Sequence, residues 1–268
     1  MPFRSLNSIL ILAACCAAVA GCSKSDPMPT TTASSTPAKP AVPAGQADGQ
    51  VSYEVVTVER PESVVDFHKL YKVSYDLCAQ IRESKKLPPP PAMKQPPDDF
   101  ISQRTTFASD GKAYLVKNEY FKYDVSTKET EPTCETSEHK SSETELVRDG
   151  KVYHASIDQA GKRVSEPPDA WAMPRKKNKE SIYTEPKVIK GFAVKCMPMQ
   201  PNSEKLLTEL CIADLKPGTL TQAGGEPIVL SSRVTIVQKM TGAVVTEPVS
   251  VKVGQKVDTA MFDAAAAP

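Results

Sequence analysis

The chain has 268 residues, with 33 basic and 32 acidic side chains, a formal charge of +1, 40% hydrophobic residues and 24% charged ones. So even a balance excludes the basic footprint of a nucleic-acid binder, and the composition is that of a soluble globular protein. The 24 prolines are roughly twice the usual share and announce spacer segments.

Residues 1–21 carry one charge, Arg4, then an unbroken apolar run of 12 residues from Ile9 to Ala20, then Gly21. That run is well short of the roughly 20 residues that cross a bilayer as a helix, so it reads as a secretory signal peptide. The sequence Val19-Ala20-Gly21-Cys22 resembles the lipobox of bacterial lipoproteins at every position: an aliphatic residue, two small ones, then cysteine. The resemblance implies a diacylglyceryl group on the Cys22 sulfur, cleavage before Cys22 and acylation of the new amine by a chain such as palmitate. Cys15 and Cys16 then leave with the leader. Each buried methylene adds about 0.8 kcal/mol of membrane affinity, so two or three chains hold the protein for life. By resemblance to the enterobacterial sorting rule, Ser23 rather than Asp after the cysteine implies the outer membrane, on its periplasm-facing side.

Residues 23–50 contain Pro27, Pro29, Pro37, Pro40 and Pro43 among Thr, Ser, Ala and Gly, with no large apolar residue after Met28. This segment is expected to be a disordered linker reaching up to roughly 80 Å. A single periplasmic domain is expected over 51–262, followed by a tail that frays from Ala264.

Within the domain, Val51, Tyr53 and Val55 alternate with polar partners and predict a strand over 51–59. Ser63 followed by Asp66 marks a helix start, and Val64, Phe67, Leu70, Tyr71, Ser74, Leu77, Cys78 and Ile81 follow at three- and four-residue steps. A helix over 64–84 is predicted, although Phe67, Tyr71, Val73, Tyr75 and Leu77 also fit a period of two. The cluster Pro88 to Pro91 with Pro96 and Pro97 reads as a loop inside the domain. Beyond it, Asp110-Gly111 and Asp149-Gly150 each separate β-prone runs, at 105–108 and 113–125, then at 145–148 and 152–157. Asp-Gly is the signature of a type I′ hairpin turn. The phrases Asp110-Gly111-Lys112-Ala113-Tyr114 and Asp149-Gly150-Lys151-Val152-Tyr153 match, which is read as shared turn chemistry rather than as a repeat. Strands are predicted at 188–196, 227–240 and 243–253, the last two joined near Thr241-Gly242, with a short helix over 203–210. The fold class is therefore α+β and mostly antiparallel β: a curved meander of hairpins with one or two helices packed on it.

Besides Cys22, the mature chain keeps Cys78, Cys134, Cys196 and Cys211. Four cysteines in an oxidising compartment imply disulfides with three possible pairings. Cys78 with Cys134 and Cys196 with Cys211 is favoured, because the second pair flanks one excursion containing Pro198 and Pro201. No metal site is indicated: there is no Cys-x-x-Cys, and only His139 lies near a cysteine, Cys134. No catalytic constellation stands out either. His68 and His154 read as surface or packing residues, and Ser137 with Lys140 matches Ser-x-x-Lys without its partner motifs. The basic run Arg175, Lys176, Lys177 and Lys179 reads as a solvated loop, with anionic lipid as the alternative.

In layout, the Asp-Gly-Lys hairpins, then Val188-Ile189-Lys190-Gly191-Phe192, then the closing strand and turn over 249–262 resemble the lipoprotein-carrier (LolA/LolB-like) half-barrel family. The proline cluster and disulfides depart from that pattern. The resemblance implies a non-enzymatic binding or carrier module at the outer membrane, with a concave sheet that holds acyl chains. A second resemblance, of residues 109–114 to the serine-glycine-tyrosine loop of lysozyme-inhibitor lipoproteins, is offset by the inserted Asp110. It implies an inhibitor or immunity protein against a cell-wall hydrolase. An enzyme would need two titratable groups facing each other in a pocket. No cofactor and no nucleic-acid partner is indicated. The expected partners are the membrane, through Cys22, and a lipid or protein ligand.

Overall fold

Strands dominate because the chain, once past its prolines, sets β-branched and aromatic residues alternately with polar ones, the period of a half-buried sheet. The structure, a computed structural model, describes residues 51–126, 132–172, 180–198, 200–203, 206–236 and 243–267. The leader, the Cys22 lipobox, the linker, the basic run at 175–179 and the Thr241-Gly242 junction lie outside the described residues.

In chain order the elements are β1 (Tyr53–Pro61), α1 (Val64–Ser84), β2 (Gln103–Ser109), β3 (Tyr114–Val125), β4 (Thr136–Arg148) and β5 (Lys151–Ile157). Then come β6 (Arg163–Ser165), β7 (Asp169–Ala170), β8 (Glu185–Ile189), β9 (Phe192–Cys196), β10 (Gln200–Ser203), β11 (Leu206–Ala213), β12 (Val229–Ile236), β13 (Ala243–Val253) and α2 (Ala260–Ala266). All of these strands join one antiparallel sheet in the order β6-β5-β4-β3-β2-β1-β13-β12-β11-β9-β8, with β7 beside β5 and β10 beside β11. Two meanders thus meet where the first strand pairs with the last. The fold is α+β in the sense of a large, open, curved antiparallel sheet with two helices on it.

Alternation along the register separates two faces. Tyr53 and Val55 share one face with Phe107, Val116 and Glu145, while Ala108, Leu115 and Leu146 share the other. On the first face Tyr53, Val55 and Val253 form one buried cluster with Val194, Cys196, Cys211 and Leu230 and with Leu220 and Ile228 from the loop before β12. A flat sheet would hold β1 and β9, four strand steps apart, about 19 Å from each other. Sharing one core requires the sheet to curl towards this face. Register shifts at Val56/Thr57 and Cys211/Ile212 fall in the same half of the sheet and increase the local twist. On the opposite face Phe262 and Ala265 of α2 are buried against Ala108, Ala113, Leu115 and Leu146.

Helix α1 spans the predicted residues, and its cap decides between the two periodicities. The Ser63 hydroxyl accepts the Asp66 backbone N–H at 3.2 Å, satisfying one of the orphan donors of the first turn. The helix docks over the end of β3 through Phe67 stacked on Phe100 at 4.8 Å, with Tyr71 and Phe100 edge-on to Tyr123.

Several expectations are corrected. The run 188–196 is a hairpin rather than one strand, because Lys190 (φ 51°) and Gly191 (φ 82°) both take positive φ and turn the chain. Of the helix expected over 203–210, the described residues are strand instead: Ser203 ends β10 and Leu206 to Leu210 lie in β11, where pairing with β10 and β12 overrides helical propensity. Asp149 (φ 53°) and Gly150 (φ 71°) make the expected two-residue turn, but at Asp110-Gly111 only the glycine has positive φ. There Ser109 pairs with Tyr114 across four residues, and the Asp110 carboxylate accepts the N–H groups of Lys112 and Ala113, both at 2.8 Å. The tail does not fray at Ala264: residues 260–266 are helical, and Arg163 donates to the carbonyls of Ala264 and Ala267.

Candidate binding groove

The Asp149-Gly150 turn fixes the register of β4 with β5, and that register builds the site. It places Glu145 opposite His154 and Glu143 opposite Ser156, while β3 sets Val116 beside Glu145 and Asn118 beside Glu143. All six side chains lie on the curled face, in the half of the sheet that the core leaves uncovered. With Val164, Glu166 and Gln222 they line an open groove of about 490 Å³. A second groove of about 160 Å³, sharing Val116, Glu145 and Gln222 with the first, adds Tyr114, Trp171 and Glu226.

Backbone contacts hold the walls. The Trp171 N–H donates to the Gly150 carbonyl at 2.8 Å and the Glu166 N–H to the His154 carbonyl at 3.0 Å. The far wall is the turn at 222–226, closed by Gln222 N–H to Glu226 carbonyl at 2.8 Å. Buried Tyr53 steadies this loop by donating to the Thr221 carbonyl at 2.5 Å. Burial pushes the Tyr53 phenol well above its ordinary range, with the neighbouring Tyr114 adding to the effect, so it stays a donor.

Electrostatically the first groove is acidic: Glu143, Glu145 and Glu166 line it, and among the described residues His154 is its only basic group. The His154 Nδ1 lies 3.9 Å from Glu145 Oε2. Tyr120 donates to Glu143 Oε2 at 3.1 Å, and its phenol is raised first by burial and then by that carboxylate. Gln103 and Thr105 both donate to Asn118 Oδ1, at 3.0 and 2.9 Å, which leaves the Asn118 amide NH₂ turned to the other side.

Of the sequence-predicted residues, the four cysteines are placed as the favoured pairs, Cys78–Cys134 and Cys196–Cys211, and all are buried. Glu209 lies within 4.8 Å of Cys196 and Cys211, but both sulfurs are committed to the disulfide and Lys187 pairs with the carboxylate. Cys22 lies outside the described residues, as does the basic run. His68 sits on α1 with Nε2 buried and unpartnered and Nδ1 3.9 Å from Asp98. Ser137 and Lys140, three apart on β4, point to opposite faces, so Ser-x-x-Lys makes no site. Instead Ser137 Oγ lies 2.7 Å from His139 Nε2. Neither residue lines the grooves described above, and among the described residues no carboxylate hydrogen-bonds the other ring nitrogen. The hydroxyl of Ser109 is turned inward, accepting the Gly111 N–H at 3.0 Å, and the residue is 1% exposed.

The groove carboxylates were not singled out by sequence reasoning. The available signal was the alternation Ser141, Glu143, Glu145, Val147, which becomes a site only once the turn at Asp149-Gly150 sets its partner strand. These two grooves are open and lined largely by polar side chains, unlike the deep apolar cleft expected of a carrier of acyl chains. No family model, no curated protein and no solved structure matches this chain.

Proposed function

We propose that the chain is a lipoprotein, anchored through acylated Cys22 at the outer membrane and facing the periplasm, that acts as a non-enzymatic binding module. Its ligand-binding face is the acidic groove over β3, β4 and β5, and its ligand is polar and positively charged. The observation that carries this reading is the groove lining: among the described residues it has three carboxylates and no lysine or arginine, with polar side chains at Asn118 and Ser156. Complementary charge in a concave site attracts and orients a cation, and exposed pairs of this kind weaken with salt.

An enzyme has one observation in its favour, the approach of His154 to Glu145. Their side chains are 41% and 46% exposed, so neither is withheld from water, and burial is the usual means of tuning a general acid or base. Binding is the better reading.

The test is amide shift mapping by NMR with spermidine and with trilysine as probes. Shifts should cluster on β3, β4, β5 and 222–226, weaken with salt, and vanish in Glu143→Gln/Glu145→Gln/Glu166→Gln. Absence of shifts with both probes, or unchanged binding by the triple variant, contradicts the proposal.

A further inference from the structure

Among the described residues, helix α1 leaves an apolar stripe without a partner. Tyr71 and Cys78 turn inward and are buried, while Leu70 (40% exposed), Val73 (59%), Leu77 (51%) and Ile81 (37%) line the next face at helical spacing. The stripe is not a loose segment. The Cys78–Cys134 disulfide and the Phe67, Tyr71, Phe100 and Tyr123 rings fix the helix to the domain, so these side chains are presented to solvent in a set orientation.

We propose that this stripe is a membrane-docking surface: α1 lies along the headgroup boundary of the bilayer and inserts Leu70, Val73, Leu77 and Ile81. The inference rests on the reading of Cys22 as a lipid anchor. Three observations choose a lipid surface over a protein partner. The first is area. Four aliphatic side chains along about 16 Å of helix fall short of the roughly 800 Å² per partner that a stable dimer needs. So small a surface serves only where a tether keeps its target close.

The second is the tether itself. A proline-rich stretch of the length of 23–50 spans up to roughly 80 Å when fully extended, whereas β1, which lies between that segment and α1, is only about 30 Å long. The helix can therefore touch the membrane that holds the anchor, at the high effective concentration that a linker of this length provides. The third is charge. Five basic residues, Lys69, Lys72, Arg82, Lys85 and Lys86, stand against three acidic ones, Asp66, Asp76 and Glu83, on the helix and its C-terminal extension. A net positive amphipathic helix is the form that binds anionic headgroups while burying its apolar side.

The experiment uses the mature chain, 23–268, with an N-terminal hexahistidine in place of the acylated cysteine, on phosphatidylethanolamine–phosphatidylglycerol vesicles containing nickel-chelating lipid. The reporter is the indole introduced by Val73→Trp in a Trp171→Phe background. The expected result is a blue shift of the reporter's emission and its strong quenching by brominated acyl chains, while Trp171 of the unsubstituted protein is not quenched. Val73→Ser/Leu77→Ser should lower vesicle partition of the untagged chain by about tenfold. Unchanged reporter emission on tethered vesicles overturns the proposal. So does a concentration-dependent dimer in sedimentation that Val73→Ser/Leu77→Ser abolishes, which would make the stripe a face for a second copy. Because the tag replaces the lipid, the vesicle result stands whether or not Cys22 is acylated, and acylation is read separately.

Discussion

Tyr53 joins the core to the groove, since its ring is buried among Val55, Val253 and Leu220 while its hydroxyl holds the loop that forms the groove wall. Its phenol is raised by burial, so the unfolded chain ionises first as the pH climbs past 10 and then binds fewer protons than the folded one. The stability this group contributes is complete below pH 10 and declines above it, in the same sense as for Tyr71, Tyr120, Tyr123 and Tyr183, whose phenols are also raised chiefly by burial. Urea titrations between pH 8 and 11 should show falling stability, with a shallower slope for Tyr53→Phe; an equal slope would remove Tyr53 from the account. Gly150 offers a cleaner case. An added Cβ would meet no atom within 4 Å, so Gly150→Ala should cost only the left-handed backbone conformation, about 1–2 kcal/mol by denaturation. Replacing Cys196 and Cys211 by Ala removes a 15-residue closure and should cost about 3 kcal/mol.

At the scale of elements, local signals were read well wherever one residue does the deciding. Ser63 caps α1, Asp149-Gly150 turns β4 into β5, and the strand 243–253 follows its alternation. Ser63→Ala should cost about 1 kcal/mol, measured as a shift in the urea midpoint. Misreadings arose where partners distant in sequence decide. Residues 206–210 have leucines at helical spacing, yet β12 and β10 draw them into the sheet. The alanine-rich end looked unanchored because nothing local shows that Phe262 would reach Leu115 and Leu146 or that Arg163 would receive its carbonyls. The groove was illegible for the same reason: Glu143, Glu145 and His154 converge only through strand pairing. If α2 is a structural element, Phe262→Ala should destabilise the domain by about 3 kcal/mol. A loss near zero would mean that the helix is dispensable.

For the whole molecule, the sheet divides its labour. The half around β1, β13, β12, β11 and β9 is packed shut by the loop before β12, and the half around β3, β4 and β5 stays open and acidic. α1 carries its apolar stripe on a rigid mount, and the lipid-anchor reading puts a bilayer within its reach. A lipid-held domain with an open groove is the arrangement of a binding module that samples the space near a membrane, and everything in that picture depends on the modification of Cys22. The most direct measurement is mass spectrometry of the N-terminal peptide of protein isolated from the cell envelope. The account predicts a chain that begins at Cys22 and carries the mass of a diacylglyceryl group with a further acyl chain. A chain that begins at Met1, or one cleaved with Cys22 unmodified, would contradict it.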